Sequence, residues 1–177
     1  MDFQKSRNID KSLVVNLSDC RWIRGGHNVL ISGACGTGKT YLASALGNAA
    51  CRQGYKVRSY RLPRLLVDIQ IGRGDGSWDK ILRDLKKTDL LILDDFGLAP
   101  LEPMQCRDFL EVVEDRYGSA STVISSQLPV SSWHSVFADA TIAEAVLDRL
   151  LQNAHRFELK GPSRRQQNFP VVKNEEL

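Results

Sequence analysis

The residues most able to do chemistry lie between positions 33 and 40, where the chain reads GACGTGKT. This is the complete pattern G-x-x-x-x-G-K-[ST] of a phosphate-binding loop. Its glycines let backbone N–H groups turn inward around phosphate oxygens, and a following helix adds its own free N–H groups. We expect Lys39 to reach the β- and γ-phosphates of a nucleotide and the Thr40 hydroxyl to ligate Mg²⁺. The predicted nucleotide-binding residues are Gly33, Ala34, Cys35, Gly36, Thr37, Gly38, Lys39 and Thr40.

A second chemical feature is a pair of carboxylates, Asp94 and Asp95, which directly follows the apolar run 90–93. Such a run is typical of a buried strand, and ligands of open α/β sheets bind beyond the carboxyl ends of the strands. We predict that Asp94 holds Mg²⁺ through water, as a Walker-B carboxylate does. Asp95 is then free to orient or deprotonate an attacking water molecule. Because two buried like charges are costly without such a role, the pair favours nucleotide hydrolysis over a purely structural function.

A third polar feature ends the next strand-like run, which closes with Ser125, Ser126 and Gln127. A polar side chain there could contact the γ-phosphate or the water between the two preceding motifs. On residue type alone, an ordinary turn before Pro129 explains the same sequence equally well. The three histidines have neither triad spacing nor metal-ligand spacing, so we interpret them as structural.

Strand-like runs alternate with helical patterns along the chain, and these elements must position the polar groups. The alternation predicts a three-layer α/β domain with a parallel sheet. The glycine-rich segment 72–76 is predicted to be a flexible turn, and the sequence from Thr141 to Glu144 fits a capping box. Strands are predicted at 28–31, 57–62, 89–95, 121–127 and 155–160, and helices at 40–53, 63–71, 78–85, 103–117 and 141–151.

Composition excludes several classes of protein. A chain of 177 residues is expected to form one compact domain. No apolar run approaches the roughly 18 residues that cross a bilayer, and the first residues lack the apolar core of a signal peptide. The four cysteines form no Cys-x-x-Cys pair, which argues against a zinc site or a disulfide framework. We therefore expect a cytoplasmic protein with reduced cysteines that mostly pack in the interior, and no membrane partner.

The motifs, taken together in their order and spacing, resemble those of the IstB-like AAA+ ATPases. These are helper proteins encoded by insertion sequences and related to DnaC-type helicase loaders. The resemblance covers about residues 3–165 and implies a P-loop NTPase core with the sheet order 5-1-4-3-2. It also implies that ATP and Mg²⁺ bind between the subunits of a homo-oligomeric ring or filament, which assembles on duplex DNA and recruits or stimulates a transposase. The segments that carry it are GACGTGKT, LLILDDFGLAPL, SSQLPVSSWH, LDRLLQNAHRFELKG and PSRR.

The resemblance further implies roles for single residues. Gln127 matches the sensor-1 position, and Arg149 matches the arginine finger that reaches the γ-phosphate of a neighbouring subunit. Arg165 matches the sensor-2 arginine, with Arg164 as its close competitor. The implied catalytic residues are Lys39, Asp94, Asp95, Gln127, Arg149 and Arg165, and the implied metal ligands are Thr40 and Asp94.

The same resemblance divides the chain into three parts. Residues 25–165 are predicted to form the AAA+ ATPase core. Residues 1–24 are a lead-in segment, and residues 166–177 are predicted to be a flexible tail.

Charge is unevenly distributed, although the formal net charge is only +3. Residues 52–87 carry ten basic side chains against four acids, whereas residues 89–115 carry eight acids against one arginine. This segregation permits phosphate contacts on one face and head-to-tail association, although solvated helix faces explain it as well. The first candidates for DNA contact are Arg58, Arg61, Arg64, Arg73, Lys86 and Lys87.

Two other functions remain compatible with these motifs. A DnaC- or DnaI-like loader of a replicative helicase would share the ATPase chemistry but would need a helicase partner and would prefer single strands. A nucleotide-gated binding module or a P-loop kinase would not need the second acid, so Asp95 argues against both.

Overall fold

Five parallel strands form the centre of the molecule, whose computed structural model describes residues 11–163. The strands pair in the order β2-β3-β4-β1-β5. Read from the opposite edge, this is the predicted order 5-1-4-3-2, so the prediction of a five-stranded parallel sheet is confirmed. The strands are β1 (Asn28–Gly33), β2 (Val57–Arg61), β3 (Leu90–Phe96), β4 (Ser121–Ser126) and β5 (Ala154–Leu159).

Helices cover both faces of this sheet and connect its strands. Two short helices precede β1, and a 3₁₀ helix at Val130–Val136 follows β4. The sequence patterns had indicated none of these three, because each is too short to show a helical period. The α-helices are α1 (Lys11–Leu17), α2 (Arg21–Arg24), α3 (Lys39–Arg52), α4 (Leu62–Asp75), α5 (Trp78–Lys86), α6 (Pro103–Arg116) and α7 (Ala140–Leu151).

Alternation along the buried strands produces two apolar cores, one on each face of the sheet. On β3, Leu91 and Leu93 pack on one face against α4, α6 and α7. Leu90 and Ile92 pack on the other face against α1, α2 and α3. Because successive side chains of a strand point to opposite faces, a continuous apolar run is the pattern of a strand covered on both sides.

The predicted turn at 72–76 is wrong for most of its length, since α4 continues to Asp75. Gly72 is buried in this helix, where a Cβ would come within 2.7 Å of the Ile81 side chain. The residue therefore serves the close packing of α4 against α5. The chain turns only at Gly76, which has a φ of 81°.

The predicted capping box at Thr141 is also wrong. Helix α7 begins at Ala140, one residue before the predicted start, and Asp139 caps it by accepting a hydrogen bond from the backbone N–H of Ile142 at 2.9 Å. A capping box forms instead at the start of α6, between Glu102 and Gln105.

The cysteine prediction holds in part. All four cysteines are free, but only Cys20 and Cys106 are buried, whereas Cys35 and Cys51 are exposed. Within residues 11–163, no helix combines the length and the apolarity that crossing a membrane requires.

Candidate nucleotide-binding site

The loop from Gly33 to Thr40 joins the end of β1 to the start of α3, as the motif requires. Gly36 and Gly38 have φ values of 78° and 103°, which side chains rarely permit. The buried ammonium group of Lys39 donates to the carbonyl oxygens of Gly33 at 2.7 Å and Ala34 at 2.9 Å. The lysine thus lies inside the loop, where it can meet phosphate oxygens.

The end of β5 and the residues that follow it pack against this loop. A Cβ on Gly33 would overlap the carbonyl oxygen of Leu159, and one on Gly36 would overlap the Ser163 side chain. Both glycines are thus required by close contact as well as by backbone conformation. The predicted sensor-2 residues Arg164 and Arg165 directly follow Ser163 and lie outside the described residues.

Asp94 lies at the carboxyl end of β3, directly beside the loop. Its Oδ2 accepts a hydrogen bond from the Thr40 hydroxyl at 2.8 Å. Its Oδ1 accepts from the Ser125 hydroxyl and from the backbone N–H of Asp95, the latter at 3.0 Å. The fold therefore brings together the two predicted metal ligands, which are 54 residues apart in sequence.

This donor set suits Mg²⁺. It offers one carboxylate and one hydroxyl, which are hard oxygen ligands, beside a loop built for phosphates. Mg²⁺ commonly binds through one or two carboxylates, substrate phosphates and several waters. Within residues 11–163, no group of three or more His, Cys, Asp and Glu side chains forms a metal site of its own.

Asp95 points away from Asp94, toward β2. Its backbone has a φ of 61°, which is uncommon for a residue with a side chain. Its carboxylate accepts a hydrogen bond from Nε of Arg61 at 2.7 Å. This pairing follows from strand register, because Arg61 lies opposite Asp94 on the neighbouring strand.

Gln127 is exposed beyond the end of β4, and its side chain makes no hydrogen bond within the described part of the chain. Ser125, two residues earlier, is fully buried and bonds to Asp94. The residue type of Ser125 and its place in the sequence indicate only that it belongs to the strand end. Alternation along β4 could have identified it, because Ser125 and Gln127 fall on the same face and Ser125 lies farther inside the sheet.

Arg149 lies near the amino ends of the strands, which we call the amino edge of the sheet, whereas the loop lies at their carboxyl ends, the carboxyl edge. The carbonyl oxygen of the next residue, Leu150, accepts a hydrogen bond from the side chain of Asn28 at 3.2 Å. Asn28 begins β1, whereas Gly33 ends it, and a strand of this length spans roughly 17–20 Å. Arg149 therefore cannot reach the phosphate loop of its own subunit. It lines a cleft at the amino edge of the sheet together with Arg116 and Tyr117.

Most of the basic residues proposed for DNA contact are already paired with carboxylates. The exception is Lys87, which makes no ion pair within residues 11–163. Lys80 and Arg83 of α5 are likewise unpaired in this range, and the three lie at positions i, i+3 and i+7 of one helical face. The pairs are Arg58–Asp84, Arg61–Asp95, Arg64–Asp68, Arg73–Asp108, Arg73–Glu111 and Lys86–Asp115.

Burial shifts the pKa values of Arg116 and His155, which lie near the amino ends of the strands. Burial lowers the pKa of Arg116 to about 10, well below its ordinary value. Burial, with a smaller effect of nearby His27, lowers the pKa of His155. The rings of His27 and His155 are 5.8 Å apart. Neither group lies near the phosphate loop, so these shifts belong to the packing of this edge.

Comparison with known proteins gives a consistent result. A family model described as IstB-like ATP binding protein matches residues 1–170. An insertion sequence ATP-binding protein, y4pL of Sinorhizobium fredii, is 46% identical over 165 residues, covering 93% of this chain and 67% of the relative. The ATP-binding protein of insertion sequence IS1162 from Pseudomonas fluorescens is 49% identical over 132 residues, covering 75% of this chain and 57% of the relative. The chain thus spans two thirds or less of these relatives.

Solved structures show the same fold. The crystal structure of the DnaC helicase loader superimposes with a TM-score of 0.79 at 19% identity, covering 90% of this chain and 93% of the loader. The replication initiator DnaA, bound to AMPPCP and single-stranded DNA, superimposes with a TM-score of 0.71 at 19% identity, covering 94% of this chain and 55% of DnaA. At these identities the likeness shows the fold alone.

Proposed function

Because the chain belongs to the family of IstB-like ATP-binding proteins, with the P-loop AAA+ fold, we propose that it hydrolyses ATP to assist transposition. The observation that carries this proposal is the 2.8 Å hydrogen bond between Thr40 and Asp94. This hydrogen bond joins the phosphate-binding loop to the carboxylate at the end of β3, where a nucleotide's phosphates and Mg²⁺ would have to meet.

In this proposal the loop Gly33–Thr40 binds the triphosphate and Lys39 contacts its β- and γ-phosphates. Thr40 and Asp94 hold Mg²⁺, which would neutralise charge that develops on the phosphates. Ser125 keeps the Asp94 carboxylate oriented through its hydrogen bond. Asp95 orients or deprotonates the attacking water, which requires that its carboxylate leave Arg61 or share it.

Hydrolysis is further proposed to require a second subunit. Arg149 lies in a cleft at the edge opposite its own loop, so any ATP that it contacts belongs to a neighbouring copy. An arginine supplied in this way can raise the hydrolysis rate by about 10³–10⁵. Gln127 and either Arg165 or Arg164 remain candidates for γ-phosphate contact from the same subunit. A homo-oligomeric ring or filament follows from this arrangement.

The proposed nucleic-acid partner is duplex DNA, and the proposed protein partner is a transposase encoded beside the family members. The unpaired row Lys80, Arg83 and Lys87 supports contacts with DNA phosphates, since these cations need not first leave a carboxylate. The predicted core 25–165, the lead-in 1–24, the tail 166–177 and the cytoplasmic location are parts of the same proposal.

The test is a mixing experiment with two inactive variants of the chain. Lys39→Ala should not bind ATP but keeps Arg149, whereas Arg149→Ala should bind ATP but lacks the arginine. Each alone should hydrolyse ATP at about the background rate, and an equimolar mixture should recover a measurable part of the activity. Asp95→Asn should also complement Arg149→Ala, because it still supplies Arg149 to the intact site of its neighbour. A mixture of Lys39→Ala with Asp95→Asn should stay inactive, because neither subunit then has an intact hydrolysing site. Failure of the first mixture to gain activity would contradict hydrolysis between subunits.

A helicase loader remains the second candidate, because it would use the same ATPase chemistry; the DnaC helicase loader itself supports only the common fold. The insertion sequence relatives, which are 46% and 49% identical to this chain, favour the transposition role over this second candidate. Stimulation of ATP hydrolysis by single strands rather than duplex, with co-purification of a replicative helicase, would reverse the order of the two candidates.

A further inference from the structure

The side chain of Arg149 is held in place by two acceptors. Its Nη1 donates to the carbonyl oxygen of Ala145, one turn earlier on α7, at 2.7 Å. Its Nη2 donates to Oε1 of Glu114 on α6 at 2.8 Å. The arginine is 29% exposed and the glutamate 48% exposed, so this is an ion pair at the surface of the cleft. Within residues 11–163, each is the other's one ion-pair partner.

The positions of the two residues follow from packing. Helices α6 and α7 bury Val112, Val113, Val146 and Leu150 in the same core. Glu114 directly follows one of these residues and Arg149 directly precedes another. The buried contacts therefore hold the carboxylate of α6 beside the guanidinium group of α7 in the isolated subunit.

We propose that Glu114 is a counter-ion that must release Arg149 before the arginine can contact ATP on a neighbouring copy, so that Glu114 sets the protein concentration at which hydrolysis begins. This inference rests on the proposed function of Arg149. Arginine binds phosphate best through two parallel N–H bonds, and one N–H on each terminal nitrogen of Arg149 is engaged, by Ala145 and by Glu114. A phosphate that takes the N–H held by the carboxylate must displace Glu114, whose negative charge also opposes an anion at the remaining donors.

Glu114 also opposes assembly in a second way, after a phosphate of ATP has replaced it as the partner of Arg149. Its carboxylate then lies near the triphosphate that Arg149 has bound, and like charges at close range repel. Both effects act in the same direction, because each makes the assembled state less favourable relative to the separate subunits. Replacement by glutamine keeps the size and a hydrogen-bond acceptor while it removes the charge.

The first experiment measures ATP hydrolysis against protein concentration for the full chain and for Glu114→Gln. The half-maximal concentration should fall about two- to fivefold, as expected when a surface ion pair no longer competes. The rate per subunit at saturating protein concentration should not change. Glu111→Gln is the matched control, because Glu111 is a half-exposed glutamate on the same helix that pairs with Arg73 at 3.2 Å. An unchanged or higher half-maximal concentration for Glu114→Gln, or a lower plateau, would overturn the proposal.

The second experiment places the substitution in only one member of the mixed pair. Glu114→Gln should lower the half-maximal concentration when it is combined with Lys39→Ala, which supplies the arginine. It should have no effect when it is combined with Arg149→Ala. An equal effect in both backgrounds would mean that Glu114 acts on folding or assembly in general. If the unmodified pair shows no complementation, the proposed function fails; if complementation occurs without this asymmetry, only the role of Glu114 fails.

Discussion

Three donors converge on the carboxylate of Asp94, and this convergence explains how one acidic side chain can be aimed precisely. Thr40 binds one oxygen, whereas Ser125 and the backbone N–H of Asp95 bind the other. The three donors come from the start of α3, the end of β4 and β3 itself. A carboxylate held from three directions loses little freedom on binding a metal ion, which favours a well-ordered Mg²⁺ site.

Asp95 is held differently, since its carboxylate is paired with Arg61 at 2.7 Å. Arg61 is 69% exposed and Asp95 is 24% exposed, so the pair is accessible to solvent on the arginine side. A carboxylate paired in this way is oriented toward β2 rather than toward water at the phosphates.

We therefore expect Arg61→Gln to raise the basal rate of ATP hydrolysis without DNA, by roughly two- to fivefold, because Asp95 becomes free to meet water. The measurement is steady-state phosphate release at saturating protein and ATP. Arg64→Gln is the matched control, since Arg64 is an exposed arginine paired with Asp68 at 3.3 Å, away from Asp95. A rate below that of the unmodified chain would show that Arg61 positions Asp95 for catalysis.

At the scale of elements, Arg116 joins three parts of the fold at the amino edge of the sheet. The residue ends α6 and is 2% exposed. Its guanidinium group donates to the carbonyl oxygens of Leu85, Thr88 and Ser121 and to the Thr122 hydroxyl. One planar group thus donates hydrogen bonds to oxygens at the end of α5, in the segment before β3 and at the start of β4.

Replacing this residue tests the role of the planar group. Arg116→Lys keeps the charge, but three donors on one nitrogen cannot reach acceptors spread around a fork. We expect the free energy of unfolding, measured in urea, to fall by about 2–4 kcal/mol, because buried carbonyl oxygens lose their donors. Arg107→Lys, an exposed change on the same helix, should stay within about 0.5 kcal/mol of the unmodified chain. Equal stability of the two variants would contradict the assigned role.

In the whole molecule, the residues proposed for hydrolysis lie at the two opposite ends of the parallel strands. The carboxyl edge of the sheet holds the phosphate loop, Asp94 and Asp95, and the amino edge holds Arg149 with Glu114. If Arg149 acts as proposed, a single subunit cannot complete its own site, whereas copies arranged head to tail can. Lys80 and Arg83 lie on α5, and Lys87 caps the carboxyl end of this helix.

Salt dependence tests whether this row contacts DNA. Replacing all three residues by alanine should weaken duplex binding and reduce the slope of log affinity against log salt by about 0.9 for each lost phosphate contact. The matched control replaces the paired residues Arg58, Arg64 and Lys86, and should change the slope less. A larger loss of slope in the control would place the DNA surface on the paired residues.

The sequence by itself determined the phosphate-binding motif, its position between a strand and a helix, and the order of the five strands and the longer helices along the chain. Glycines at fixed positions and an apolar run before two carboxylates are local patterns, and local backbone preferences are sufficient to interpret them. Local preferences also explain why the predicted α4 is too short. Glycine is typical of turns, and only the packed structure shows that Gly72 is needed for the close contact with the side chain of Ile81.

Only the tertiary structure decided which distant groups meet. Strand register places Ser125 rather than Gln127 on Asp94, and it places Arg61 beside Asp95. Helix packing pairs Arg149 with Glu114, and ion pairs engage most of the basic residues that charge counting had suggested for DNA. Apart from the pair Arg64–Asp68 on one helix, these contacts join residues 26 or more positions apart in sequence. The shared core, and not a local pattern, brings such residues together.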